Sequence, residues 1–240
     1  MIDRVRAGKF TVDVLYEDNH LLAVVKPPNL PVQADRSGDD DLLSILKRYI
    51  GQKYQKPGAV YLGLVHRLDR PVGGAMVFAR TSKAAARLSA DFAAHAQDKR
   101  YLAVLQGEAG PMALEDWLWK DGRTGTVRVV PPETPGAKRA SLESRPLAVR
   151  DGRTLAEVRL YTGRAHQIRV QHAHAGFPLW GDARYGGGRP GQQIALWAAS
   201  LTFDHPTRRV PVRVSAPPPR AGAWLDFSDV IDAYMEEMNP

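Results

Sequence analysis

Short apolar runs separated by links too short to hold a helix constrain this chain most. Thr11 to Tyr16 and Leu21 to Val25 are β-branched and apolar, and only Glu17, Asp18, Asn19 and His20 lie between them, so they read as a hairpin ending at Lys26-Pro27-Pro28. The segments 140–149 and 154–161 repeat the pattern across Asp151-Gly152-Arg153, a tight-turn signal. A parallel pair needs a crossover of about a dozen residues, so such links dictate antiparallel neighbours. Further strands are expected at 75–79, 100–105, 126–130, 194–203 and 209–214. Helical spacing of Ala85, Leu88, Phe92 and Ala96 places a helix from Ser82, a shorter one is expected at 164–175 after Gly163, and a last one at 223–238. The fold class that follows is α+β around a largely antiparallel sheet. The domain reading is one main domain over residues 1–220, followed after Pro217-Pro218-Pro219 by an acidic C-terminal helix, 221–240, packed on it or extending from it.

Composition removes several function classes. The 240 residues contain no cysteine, which excludes disulfides, thiolate nucleophiles and cysteine metal sites. No apolar run approaches the roughly 20 residues of a membrane helix, and the N-terminus lacks a secretory apolar region, so a cytoplasmic address is expected. The net charge is +7, but five of the 26 acids follow Arg220, which leaves residues 1–220 at +12. Such a surplus favours a polyanionic partner through counterion release, nucleic acid foremost. An Arg-rich surface without a partner would give the same count.

Two dense patches carry candidate chemistry. His66-Arg67-Leu68-Asp69-Arg70 sets one carboxylate among cations that would keep it ionised, ready as a nucleophile or base, although a surface ion-pair cluster has the same composition. Thr162-Gly163-Arg164-Ala165-His166-Gln167-Ile168-Arg169 places His166 and Arg169 on one helix face. Between them, Lys99-Arg100-Tyr101 opens a strand whose tyrosine could stack on a base or pack in the sheet. His166, His172 and His174 lack metalloprotease spacing, so no metal site is read from them. Gly186-Gly187-Gly188 lacks a following Gly-Lys-Ser/Thr and reads as a flexible loop. Asp39-Asp40-Asp41 reads as a helix N-terminus rather than a cation site.

HRLDRPVGG at 66–74, KRY at 99–101, GRAHQIRV at 163–170, GFPLWGDARYG at 176–186 and LYEDNHLLAVVKPPNLPV at 15–32 resemble the RluA-type family of RNA pseudouridine synthases, in that family's order over roughly residues 12–215. The resemblance implies the pseudouridine synthase fold, with a mixed central sheet flanked by helices and loops. It implies an isomerase of uridine in structured RNA, an rRNA or tRNA stem-loop, that needs no cofactor or metal; no membrane partner is expected from the composition, and a monomer is the default expectation. Asp69 is then the catalytic carboxylate, acting on the ribose by attack at C1′ or removal of the C2′ proton. Arg169 is its ion-pair partner, and Tyr101 stacks on the target base. His66, Arg67, Arg70, Lys26, Lys99, Arg164, His166 and Gln167 are the expected RNA contacts. Arg67 or His66 is the candidate to fill the stack that a flipped base vacates, and Lys26 is assigned to phosphate contact or loop structure. Many members carry an added N-terminal S4-like domain, whereas the first hairpin here begins about ten residues from Met1, so target recognition is expected from the catalytic domain. Val72-Gly73-Gly74 replaces the family's usual Thr-Ser-Gly, and Gln171 stands where histidine is common. The competing reading is an RNA-binding protein of the same fold without catalysis.

Overall fold

A computed structural model describes residues 3–35 and 37–238. In chain order, β1 is Arg4–Ala7, β2 Phe10–Glu17, β3 Leu21–Lys26, α1 Leu42–Lys53, β4 Gly63–Leu64, β5 Gly73–Ala79, α2 Ser82–Ala93 and β6 Asp98–Gln106. They are followed by β7 Met112–Lys120, β8 Val127–Val130, β9 Lys138–Arg150, β10 Arg153–Leu160, α3 Gln167–His174, β11 Leu196–Asp204, β12 Pro211–Ser215 and α4 Ser228–Met238, the last preceded by a 3-10 turn, Gly222–Phe227. The chain divides into two compact units, one reaching to Gln97 and including Ala198–Ala216, the other formed by Asp98–Trp197 and the residues from Pro217 onward.

In the first unit the strands run in the order β1-β2-β3-β5-β11, with β4 on β5 and β12 on β11. β3 and β5 pair antiparallel from Leu21 opposite Ala79 to Lys26 opposite Gly74. Every residue of β5 is buried, so this strand is covered on both faces, as its unbroken apolar run requires. α2 lays Ala84 and Leu88 onto Leu21, Ala23, Val77, Leu201 and Phe203. Both helix starts are capped as their sequences dictate. The Asp41 carboxylate accepts from Ser44 N at 3.0 Å and the Thr81 hydroxyl from Ala84 N at 3.1 Å.

The second unit orders its strands β6-β10-β9-β7-β8. The β9–β10 turn places Asp151 at φ 48° and Gly152 at φ 66°, the two positive angles of a type I′ hairpin. Leu118, Val127 and Ala140 meet Val170 of α3 in a small core. α4 is held by a bidentate pair from Arg150 to Asp229 at 2.8 and 2.7 Å.

The structure departs from the sequence reading in three places. β1, β4 and β7 are not among the expected strands. α3 begins at Gln167 rather than 164, because His166 sits in the left-handed region at φ 52°. The last helix is split, a 3-10 turn at Gly222–Phe227 preceding α4. In keeping with the largely antiparallel sheet expected, the strand pairs whose register is described are all antiparallel.

Candidate active-site elements

In the first unit the HRLDR segment joins β4 to β5 and is fixed from beneath by Lys26, the last residue of β3. Its side chain is fully buried, and Nζ donates to the carbonyls of Pro27 at 3.1 Å, Arg70 at 3.0 Å and Val72 at 2.7 Å. With all three donors spent on main chain, Lys26 does not face RNA phosphate, and of its two expected roles only loop structure stands. Burial pushes its pKa down to about 7, partly opposed by the negative charge of Asp69 and assisted by Arg70. Asp69 is half-buried, and its carbonyl accepts from Val72 N at 3.0 Å, closing the turn.

The neighbours of Asp69 divide by environment. His66 is not poised for RNA: Nε2 accepts from Val77 N at 3.0 Å and the ring stacks on Phe92 at 4.7 Å. Leu68 is buried, and Arg67 is exposed. Arg70 is exposed but paired with Asp35 and Asp39, and it donates to the Ser37 hydroxyl at 3.1 Å. At the loop's end, Gly74 has φ 123°, and a Cβ there would lie 2.3 Å from Ala198 O. Only glycine fits this close approach of two strands.

In the second unit Tyr101 lies on β6 opposite Val158, with 9% of its surface exposed. Lys99 on the same strand is largely buried, and burial together with the charge of Arg164 lowers its pKa. Arg169 projects from α3, buried, and grips Asp182 with Nε at 2.8 Å and Nη2 at 2.7 Å. Burial would raise the Asp182 pKa, but Arg169 and the backbone amides of Arg184 and Tyr185 outweigh it and hold the carboxyl below its ordinary value. The Arg169 guanidinium also lies 5.2 Å over the Tyr185 ring. The Tyr185 hydroxyl accepts from Val127 N at 3.0 Å and shares a hydrogen bond with His166 Nδ1 at 2.7 Å. Asp182 and Tyr185 fall inside the GFPLWGDARYG segment, yet sequence reasoning gives them no role, because nothing local shows which cation the carboxylate meets.

The rest of the GRAHQIR segment is mostly structural. Gln167 is buried, its Oε1 accepting from the Thr162 hydroxyl at 2.7 Å and Arg164 N at 3.0 Å, with Nε2 donating to Ser141 O at 3.1 Å. It shapes the turn before α3 rather than contacting RNA. Arg164 is half-buried and donates from Nε to Arg139 O at 3.0 Å. Gln171 donates to Asp116 Oδ2 at 2.8 Å. His172 is fully buried between Ile168 O at 2.8 Å and the Ser144 hydroxyl at 3.0 Å, and burial pushes its pKa down to about 4. The triple glycine, expected as a loop, is tied down by hydrogen bonds. Gly186 N and Gly188 N both donate to Asp182 O, at 2.8 and 3.2 Å, and Gln106 Nε2 donates to Gly186 O at 3.0 Å. Among the described residues, no group of three or more His, Cys, Asp or Glu side chains is placed to hold a metal ion, and no helix is long and apolar enough to cross a membrane.

Residues 20–174 match the family model described as RNA pseudouridylate synthase. Ribosomal large subunit pseudouridine synthase D of Pseudomonas aeruginosa is 33% identical over 91% of this chain and 72% of its own length. The protein of that name in Zymomonas mobilis is 32% identical over 81% of this chain, which spans 65% of that relative. The tRNA pseudouridine synthase C of Vibrio cholerae is 28% identical over 85% of this chain and 90% of its own. The solved human RNA Pseudouridylate Synthase Domain Containing 4 superposes with a TM-score of 0.72 at 20% identity, covering 93% of this chain and 92% of its own, a likeness of fold.

Proposed function

Because the chain belongs to the RNA pseudouridylate synthase family, we propose that it isomerises specific uridines of structured RNA, ribosomal or transfer, to pseudouridine. The observation that carries this reading is the family match over residues 20–174, which takes in Asp69, Tyr101 and Arg169 together. In the reaction the bond between uracil N1 and ribose C1′ breaks, the base turns within the pocket, and C5 bonds to C1′. The proton on C5 leaves and N1 takes one up, so the net change is an isomerisation. Asp69 supplies the anionic oxygen at the ribose, and the tight turn clamped by Lys26 supports that role by fixing the backbone that carries it. No water need be activated, so a second catalytic carboxylate of the glycosidase kind is not required. Tyr101 is assigned to the face of the target base.

Arg169 is the cation that the family pattern sets against the catalytic carboxylate, and Asp182 fixes its guanidinium plane. A bidentate Arg–carboxylate pair is rigid in both distance and orientation, which suits a positioning role. Arg67, exposed beside Asp69, is the candidate to fill the stack left by the flipped base.

The test is tritium release from transcripts carrying [5-³H]uridine, ribosomal and tRNA in parallel, with wild type and Asp69→Asn. Release by wild type and none by the variant, with RNA binding retained by both, is the expected result. Tight binding by both without release would replace the isomerase reading by that of an RNA-binding protein of the same fold.

A further inference from the structure

The second unit holds a cavity of about 640 Å³, within the range of small-ligand sites, that the proposed chemistry does not use. Its walls are Gln106 at the end of β6, Trp180, the glycines 181, 187 and 188, and Arg189.

Three features of these walls favour one kind of occupant. The indole of Trp180 is clamped on one side by the Arg153 guanidinium at 5.1 Å, itself held by Asp226 at 2.9 Å, which leaves a rigid aromatic surface lining the cavity. The glycine wall presents main chain. A Cβ on Gly181 would meet Gln193 O at 2.2 Å and one on Gly188 would meet Gly181 C at 2.7 Å, whereas the space beside Gly187 is open. Gly186 N and Gly188 N are spent on Asp182 O, and the Gly187 N–H between them has no partner among the described residues. The third feature is Arg189. Arg100, Arg139, Arg145, Arg150, Arg153, Arg159 and Arg169 each hold a carboxylate in this unit, whereas among the described residues Arg123, Arg128, Arg164 and Arg184 do not, and Arg189 is set apart by lining the cavity. The Arg189 guanidinium is exposed and, among the described residues, holds none.

An aromatic face, an uncommitted guanidinium and a main-chain donor in one cavity match a nucleotide, its base stacked and its phosphate bound. We propose that this cavity takes a nucleotide of the RNA substrate that flanks the target uridine. The inference rests on the RNA reading above and adds a second contact to it. Gln106 lies five residues from Tyr101 along β6. That is about 17 Å of strand, and the odd spacing turns the Gln106 side chain to the opposite face of the sheet from Tyr101, so the occupant is a nucleotide of the flank that runs past the end of β6 and not the target itself.

The experiment measures binding and needs no turnover. A labelled stem-loop with about ten flanking nucleotides on each side and the same stem-loop trimmed of its flanks are titrated with wild type, Arg189→Gln, Trp180→Leu and a control, Arg123→Gln, which removes another exposed charge. Arg189→Gln and Trp180→Leu are expected to weaken the flanked RNA about tenfold and to leave the trimmed RNA unchanged, while Arg123→Gln changes neither. Crosslinking of 4-thiouridine in the flank is expected to label the 180–189 segment. Wild-type affinity of Arg189→Gln for the flanked RNA, equal loss of both RNAs by it, or a crosslink elsewhere overturns the proposal. The expected binding pattern in a wild type that releases no tritium would sink the isomerase reading and leave this site standing.

Discussion

Replacing Lys26 by methionine tests how the Asp69 turn is held. The buried ammonium meets three carbonyls. Without it Arg70 O keeps the Asn29 N–H at 2.8 Å, while Val72 O loses a charged donor, a loss of about 1–3 kcal/mol. Opposing this is the cost of burying charge, visible in a pKa lowered from 10.5 to about 7. A lysine depressed in the folded state contributes stability that is complete above its unfolded pKa and falls away as pH drops toward the folded one. Between those two values the unfolded chain binds a proton that the folded chain has released, so wild-type stability rises by roughly 1.4 kcal/mol per pH unit. From pH 7 to pH 9.5 the stability difference between wild type and Lys26→Met should therefore widen by about 3 kcal/mol in favour of wild type. Urea unfolding at pH 7, 8 and 9.5 reads it directly. A difference constant across that range would refute a buried lysine that titrates near neutrality.

Asp182→Asn should cost about 3–5 kcal/mol, because it leaves the buried Arg169 guanidinium without its counter-charge; thermal unfolding and tritium release should both fall, and unchanged stability would show the pair to be dispensable. His172, lowered from 6.5 to about 4, is neutral in the fold. Its contribution is complete above pH 6.5 and is lost as pH falls toward 4, so His172→Gln should flatten acid unfolding by about 3 kcal/mol over that window. Gly74→Ala forces a methyl against Ala198 O at a positive φ, and a loss of several kcal/mol is expected in denaturant unfolding. Asp69→Asn should abolish tritium release without loss of RNA binding.

Features determined by neighbours along the chain are legible in the residues alone. The Asp151-Gly152 turn, the Asp41 and Thr81 caps and the apolar runs of β3 and β5 each rest on contacts within a few residues. The family motifs likewise single out Asp69, Tyr101 and Arg169 by identity. β7 escapes such a reading because its alternation, MALEDWLWK, mixes acids with tryptophans on a half-buried surface, so burial rather than propensity decides it. The role of each site residue is less legible still. Lys26, His66 and Gln167 carry the same polar groups as an RNA contact, and only their surroundings show those groups bound to Val72 O, Val77 N and Ser141 O.

The sequence by itself determined the antiparallel hairpins, the family and the carboxylate to which the proposed chemistry is assigned, since turn residues, apolar runs and motif identity are local properties. Tertiary structure alone decided that Lys26 is buried beneath the Asp69 turn, that Asp182 holds Arg169, and that Trp180, Gly187 and Arg189 share a cavity. Each of these depends on groups brought together by packing, and burial, charge and hydrogen bonding act through distance in space rather than position along the chain.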